Sequence, residues 1–289
     1  MHRIFFILIL SFSFFRAHSQ FVEIHYNYNN VGDCIFEANN IAKTPLFVNF
    51  FFTNLEYTTF KETLPYVKKL EPGFTALFTL MREEENAPQF IFDIKTYRSN
   101  PLPEINLDFP YLVPFAPGTV VKPVDVKSIA GFWGDTEPKS WKATGFAANP
   151  GDAVYAARQG QIVEIAGPTR TGDAKTWYHA WTNSITLLQP DGTLITYKNV
   201  IDKDNNLKIN QKIQAGQVLG EVAAGASEIV LMIYHNTLKS NDLLFVIPLF
   251  VTSPGKTEIV NSALNIEVVH PKEIRGLEMT KKEQKKFLE

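Results

Sequence analysis

The feature that most constrains this chain is a series of short apolar segments, bounded by glycines, between residues 151 and 233. The segments, such as residues 161–166 and 217–222, are rich in the β-branched residues that favour strands. Pro-Asp-Gly at residues 190–192 predicts a hairpin, because glycine accepts the positive φ of tight turns. No helical pattern interrupts the series, so residues 113–244 are predicted to form an all-β barrel-sandwich.

The preceding residues, 20–112, have the pattern of a separate β domain. In residues 21–28 apolar and polar side chains alternate, which places the apolar ones on one face of a strand. Further apolar runs of strand length occupy residues 46–52, 76–80 and 90–94. Short strands at this spacing predict an immunoglobulin-like β-sandwich. Five prolines between residues 101 and 117 mark an extended linker, and we place the domain boundary near Leu112.

Residues 245–289 form the last segment of the chain. Two apolar runs, at residues 245–247 and 249–251, predict strands that return to pack on the first domain and extend its sheet. Residues 280–288 carry four lysines and are predicted to form a short, solvated terminal helix.

The N-terminus has the organisation of a secretory signal peptide. His2 and Arg3 precede an apolar stretch at residues 4–15, and Ala-His-Ser at residues 17–19 is a small-x-small cleavage site. The stretch is shorter than the about 20 apolar residues that span a membrane. We therefore expect residues 1–19 to be removed, leaving no transmembrane span, and the mature chain to be exported to the periplasm or cell surface. An uncleaved anchor is the alternative.

Charge and cysteine content exclude two further classes of protein. A formal net charge of −2 gives no electrostatic basis for binding nucleic acid. Cys34 is the only cysteine, so the chain is not a fold stapled by intramolecular disulfides. Beside Ile35 and Phe36, Cys34 is expected to be an inert, buried thiol.

Residues 151–163, 192–197 and 213–222 share a pattern of glycines and β-branched residues. In this pattern the chain resembles the lysostaphin-type (LytM-like) metallopeptidases, which cut peptide bonds in bacterial peptidoglycan. The resemblance covers roughly residues 141–233 and implies a barrel-sandwich of the duplicated hybrid motif type. It also implies a zinc site with three protein ligands and an open coordination position for water.

None of the positions that the resemblance assigns to the zinc site keeps the residue that the family has there. Trp141, Gly145 and Val230 stand where the zinc ligands belong. Asn199 and Glu228 stand where two further histidines belong. We therefore expect no metal site, no zinc and no other cofactor, and no hydrolysis by the family's mechanism.

Aromatic residues are the remaining candidates for a binding function near these positions. All four tryptophans lie between residues 133 and 181. By the resemblance they border the substrate groove, and tryptophan faces stack on sugar rings or peptide backbone. The candidate groove residues are Trp141, Trp177, Tyr178, Trp181, Asn199 and Glu228. The alternative is that Trp141 fills the space left by the zinc and the other tryptophans pack the loops.

Three functions follow from these patterns. The first is an exported, non-catalytic peptidoglycan-hydrolase-like protein, a pseudoenzyme, that binds cell-wall peptide or glycan, or an envelope partner protein. The alternative is an active cell-wall metalloendopeptidase with a relocated or atypical metal site. The histidines of the mature chain that could serve as its ligands are His25, His179, His235 and His270, but no two of them have ligand spacing. A third hypothesis, a lipoyl or biotinyl carrier, rests on residues 212–220, but the carrier tripeptides Asp-Lys-Ala and Met-Lys-Met are absent.

Overall fold

The computed structural model describes residues 21–83, 85–126, 139–167, 183–239 and 243–288. In these ranges the chain is predominantly β-structure, as predicted, with two short helices near the C-terminal end. No helix in the same ranges is long and apolar enough to cross a membrane.

The N-terminal unit is a sandwich of two three-stranded antiparallel sheets. Its strands are β1 (Val22–Tyr28), β2 (Cys34–Asn40), β3 (Leu46–Glu56), β4 (Tyr66–Leu70), β5 (Gly73–Leu80) and β6 (Gln89–Tyr97). One sheet has the order β1-β2-β5 and the other has the order β4-β3-β6. The structure thus contains the expected β-sandwich, and its immunoglobulin-like character stays a prediction.

Aromatic side chains from both sheets fill the interior of the sandwich. The ring of Phe36 on β2 stacks on Phe78 of β5 with 4.8 Å between centroids, and meets Phe50 of β3 edge-on at 5.6 Å. Such pairs add about 0.5–1.5 kcal/mol each beyond the burial of their area. Cys34 is fully buried beside them, as predicted, and burial raises the pKa of its thiol to about 12.

The second unit is built around one large sheet. Its strands are β7 (Pro110–Tyr111), β8 (Val120–Val121), β9 (Pro123–Val124), β10 (Thr144–Ala147), β11 (Ala153–Tyr155), β12 (Gly160–Ala166), β13 (Ser184–Leu188), β14 (Leu194–Lys198), β15 (Val200–Ile201), β16 (Lys212–Ile213), β17 (Val218–Val222), β18 (Glu228–Asn236) and β19 (Leu243–Val246). Seven of them follow the order β16-β12-β13-β14-β18-β10-β9, and β19 pairs with β18 as the eighth. A second sheet, β11-β17-β15, packs against the first across the core, which gives the predicted barrel-sandwich.

The C-terminal segment packs on the barrel and not, as the sequence predicted, on the first domain. It contains β20 (Leu249–Ser253), β21 (Lys256–Glu258), β22 (Ile266–Glu267), α1 (Lys272–Arg275) and the expected terminal helix, α2 (Lys281–Leu288). Strand β20 pairs with β7, and β22 pairs with β8. The side chains of Phe250, Ile266 and Val268 join the barrel core, because they cover an apolar surface that the barrel strands leave open.

Residues on both sides of the predicted domain boundary belong to the same core. Tyr111 and Val113, which flank Leu112, are both buried in the barrel cluster. The proline-rich stretch therefore contributes packing as well as connection.

The predicted hairpin between β13 and β14 is present, and its tip contacts the sandwich. Gly192 has a φ of 89°, which favours glycine. The backbone N–H of Asn100 donates to the Gly192 carbonyl at 2.9 Å, and a Cβ built on Gly192 would collide with Asn100. Phe47 of the sandwich packs nearby against Leu188 and Leu194 of the same hairpin. The first unit therefore packs on this hairpin.

A buried ion network centres on Arg158, which follows β11. Its Nη1 lies 2.8 Å from Oδ2 of Asp191, and its Nη2 lies 2.6 Å from Oε1 of Glu278. The guanidinium also stacks on Phe109 at 3.9 Å and donates to the hydroxyl of Tyr111 at 3.0 Å. Although burial alone would lower the pKa of Arg158, the Glu278 and Asp191 carboxylates hold it above its ordinary value. The network joins the linker, the hairpin and the C-terminal segment.

Replacing Arg158 with methionine leaves Asp191 and Glu278 buried without their cation. We expect the free energy of unfolding to fall by about 3–5 kcal/mol, the cost of removing one partner of a buried pair. Arg98→Met is the matched control, because Arg98 and Glu164 form a pair in which 57% and 41% of the side-chain surfaces are exposed. Its cost should be about 1 kcal/mol or less. Urea titrations measure both, and equal losses would contradict the central role of Arg158.

The thiol of Cys34 should resist chemical modification in the folded protein, because it is buried and because little thiolate forms when its pKa is about 12. We expect no reaction with a disulfide reagent such as dithionitrobenzoate at pH 8 under native conditions. One thiol per chain should react once the protein is unfolded in urea. Rapid reaction of the native protein would show that the sandwich opens locally at β2.

Candidate functional site

The main sheet has one side in the barrel core and one side that faces away from it. On β14, Tyr197 belongs to the core, so the next residue, Lys198, lies on the opposite side, because successive strand residues alternate. On β18, Leu231 belongs to the core and Val230 lies on the opposite side for the same reason. We call this second side of the sheet the outer face.

A row of four residues crosses neighbouring strands of the outer face. Gly145 of β10 pairs with Val230 of β18, Val230 pairs with Lys198 of β14, and Lys198 pairs with Ser184 of β13. Gly145 and Val230 are two of the positions that the resemblance assigns to zinc ligands. The structure therefore places these two side by side on adjacent strands.

The other assigned positions lie around the same point. Trp141 packs against Val230. Glu228 stands two residues before Val230 on β18, and Nδ2 of Asn199 donates to the carbonyl oxygen of Glu228 at 2.9 Å. Positions that are far apart in sequence thus form one cluster at this end of the outer face.

The residues in this cluster do not fit a zinc ion. Gly145 has no side chain, and a Cβ built on it would lie 2.8 Å from Cγ2 of Val124 and 3.0 Å from Cγ2 of Val126. Val230 is fully buried and offers only hydrocarbon. Among the described residues, no group of three or more His, Cys, Asp or Glu side chains is placed to hold a metal. The ligand positions are filled by an apolar cluster, which we call the valine plug: Val124, Val126, Trp141, Val230 and Met232.

Trp141 is half-buried in the valine plug, where it packs on Val230 and Met232. This position favours the interpretation that Trp141 fills the space of the missing metal site. The other aromatic candidates, Trp177, Tyr178 and Trp181, lie outside the described residues, as do Trp133 and His179.

Asn199 has a structural role in the backbone at the end of β14. Its φ is 64°, in the left-handed region that asparagine tolerates better than most residues. Its N–H donates to the Asn183 carbonyl at 2.8 Å, and its side-chain amide holds Glu228 as described above. Both contacts fix the chain where it passes from β14 to β15.

A buried lysine on the outer face was missed by the sequence reasoning. Lys198 is only 5% exposed, and burial lowers the pKa of its ammonium while the charge of Glu164 opposes that shift. The signal in the sequence is slight, because it consists only of Leu194, Thr196 and Lys198 at alternate positions of one strand. All five residues of that strand are buried in the structure. Lys198 places a hydrogen-bond donor and a cation beside Val230, where the resemblance expects a metal ion.

Hydroxyl groups continue the polar part of the outer face next to Lys198. The hydroxyls of Thr186 and Thr196 lie 2.9 Å apart, and the Thr196 hydroxyl lies 3.1 Å from that of Tyr234. Thr186 and Thr196 are 1% and 5% exposed, so these hydroxyls satisfy one another within the structure.

The described histidines are not gathered into a replacement site. His235 pairs through Nδ1 with the Asn236 carbonyl at 2.7 Å, and His270 pairs through Nε2 with the Val113 carbonyl at 2.9 Å. Burial lowers the pKa of both rings, which keeps them neutral near pH 7. His25 lies apart from them, on β1 of the sandwich.

Comparison with known proteins gives matches among solved structures alone. No family model matches the sequence, and no curated protein matches it. The catalytic domain of lysostaphin from Staphylococcus simulans is 21% identical over 45% of this chain and 88% of its own, with a TM-score of 0.29. Csd3 from Helicobacter pylori is 12% identical over 85% of this chain and 71% of its own, with a TM-score of 0.34.

A zinc-containing peptidase from Vibrio cholerae is 12% identical over 78% of this chain and 84% of its own, with a TM-score of 0.29. The fold described above rests on the strands and registers of this chain and not on these values. The solved structures to which the chain is similar include lysostaphin-type and M23 peptidases, and its described residues contain no metal-binding group.

Proposed function

We propose that this chain is an exported, non-catalytic protein of the peptidoglycan-hydrolase type, which binds cell-wall peptide or glycan on the outer face of its barrel. The observation that carries the proposal is the valine plug. Val124 and Val126 occupy the space that an aspartate at position 145 would need, and Trp141 packs against the cluster of Val230 and Met232. Without a metal, nothing in the cluster polarises water for attack on a peptide bond.

The candidate groove keeps aromatic groups that suit binding. Lys198, Thr186 and Thr196 are at most 5% exposed, so we assign them to the support of the sheet and not to direct contact with a ligand. Trp177 and Trp181 remain the candidates for stacking on sugar rings or peptide backbone. Binding through such groups needs no chemical step.

Export is part of the same proposal. The apolar stretch at residues 4–15, followed by a small-x-small site, supports secretion to the periplasm or cell surface, where peptidoglycan is accessible. An envelope partner protein is the alternative occupant of the outer face, because an aromatic groove serves protein segments as well.

The proposal predicts that the purified protein holds no stoichiometric zinc, even when the ligands are restored. In the triple variant Trp141→His, Gly145→Asp and Val230→His, the new aspartate still meets Val124 and Val126. We expect metal analysis after dialysis against zinc to find far less than one zinc per chain in both the wild type and the triple variant. One tightly held zinc per wild-type chain would support the active peptidase with a relocated site and remove the proposal.

Adding Val124→Ala and Val126→Ala to the triple variant makes a matched test of the valine plug. These two changes remove both methyl contacts to position 145 and leave the Val124 carbonyl oxygen, 3.0 Å from the added Cβ, as the remaining close contact. Zinc content should therefore rise above that of the triple variant. If the triple variant binds zinc as well as the five-fold variant, the two valines are not what excludes the metal.

The mature protein should sediment with isolated peptidoglycan and release no soluble fragments from it. Trp177→Ala and Trp181→Ala should each reduce the retained fraction about tenfold, the effect of losing a central aromatic contact. The matched control is Phe74→Ala, a 70% exposed aromatic residue of the sandwich. Unchanged retention in all variants would remove the outer face as the binding surface and favour a partner protein.

A further inference from the structure

A second candidate site lies between the sandwich and the barrel, away from the valine plug. It is a cavity of about 210 Å³ where β3 and β4 meet the start of β12 and the hairpin β13–β14. Water occupies roughly 30 Å³ per molecule in the liquid, so the space corresponds to about seven waters or one small organic molecule. Clefts between domains are common places for small ligands.

Two lysines reach this cavity from opposite walls. Lys69 belongs to β4 of the sandwich, and Lys212 belongs to β16 of the barrel. No Asp or Glu side chain of the described chain lines the cavity with them. The ammonium of Lys69 lies 2.8 Å from Glu71, but both side chains are exposed, and such pairs exchange readily with other ions. Glu283 of α2 interacts electrostatically with Lys212, but like Glu71 it does not line the cavity. Both charged side chains that line the cavity are cations, which favours an anion.

The uncharged part of the lining combines amides with apolar surface. Gln159, Gln161 and Gln189 contribute amide groups, which both donate and accept hydrogen bonds. The side chain of Gln189 is fixed by the Thr193 hydroxyl, which donates to its Oε1 at 2.7 Å. Phe47, Leu188 and Pro190 supply the apolar wall.

This combination identifies the class of ligand. Amides that donate and accept suit vicinal hydroxyls, an apolar wall suits the faces of a sugar ring, and two cations suit an acidic group. We propose that the cavity binds a small acidic saccharide, one ring with an attached anionic group, between the two domains. This site lies where the sandwich packs on the main sheet, away from the valine plug, and its occupancy does not depend on what binds beside the plug.

The walls of the cavity are held in place independently of any ligand. Asn100, which lines it, is fixed by its backbone bond to Gly192, and Nδ2 of Asn210 donates to the Lys43 carbonyl at 2.6 Å across the same boundary. A preformed cavity loses less entropy when a ligand binds than one that must first be assembled.

Titration calorimetry of the mature protein with three probes tests the proposal. Glucuronate carries both the ring and the anion, glucose carries the ring alone, and acetate carries the anion alone. We expect glucuronate to bind with a Kd of about 1 mM or tighter, and glucose and acetate at least tenfold more weakly. Glucose 6-phosphate then shows whether a carboxylate or a phosphate is preferred; binding of either acidic sugar supports the proposal.

Charge-removing variants locate the binding. Lys69→Gln with Lys212→Gln should weaken glucuronate binding at least tenfold without lowering the melting temperature, because both side chains are exposed. Lys68→Gln with Lys208→Gln removes the same charge from exposed lysines that do not line the cavity, and should leave the Kd unchanged. Equal weakening by the two pairs, equal affinity for glucose and the acidic sugars, or no binding of either glucuronate or glucose 6-phosphate at about 10 mM would overturn the proposal.

Discussion

The arrangement of the chain depends on one buried guanidinium. A charge that is removed from water must be paired, and Arg158 is paired by both Asp191 and Glu278. Asp191 lies in the hairpin on which the sandwich packs, and Glu278 lies in the C-terminal segment. The position of the first unit and that of the last segment are therefore linked through a single side chain, which also stacks on Phe109 of the connecting stretch.

The two sides of the main sheet are under different constraints, because only one of them packs in the barrel core. Core residues such as Tyr197, whose hydroxyl accepts the Ala157 N–H at 2.8 Å, hold the two sheets of the barrel together. Residues one position away, such as Lys198 and Val230, lie on the outer face and take no part in that core. Because strand residues alternate, the chemistry of the outer face can change completely while the fold stays the same.

The sequence allowed the local features to be predicted, together with the positions that follow from them. The β-structure, the turn at Gly192 and the burial of Cys34 follow from residue types and their immediate neighbours. The resemblance placed Gly145 and Val230 in one site, and the register of β10 and β18 makes them neighbours.

What the sequence could not show depends on contacts between distant segments. Strand β20 has an apolar pattern that would suit either sheet, and only the open surface of the barrel core decides where it packs. The burial of Lys198 was missed because a lysine at the end of a strand is usually exposed. The cavity at Lys69 and Lys212 needs two domains to form, so no single stretch of sequence carries its signature.

The closeness of Val124 to Gly145 also limits what a single mutation can do at this position. A codon change at position 145 introduces a metal ligand only if there is space for the new side chain. Here the Cβ of any side chain would lie 2.8 Å from a methyl group and 3.0 Å from the Val124 carbonyl oxygen, so such a change is destabilising before it can be useful. Selection for stability alone is then enough to keep the glycine.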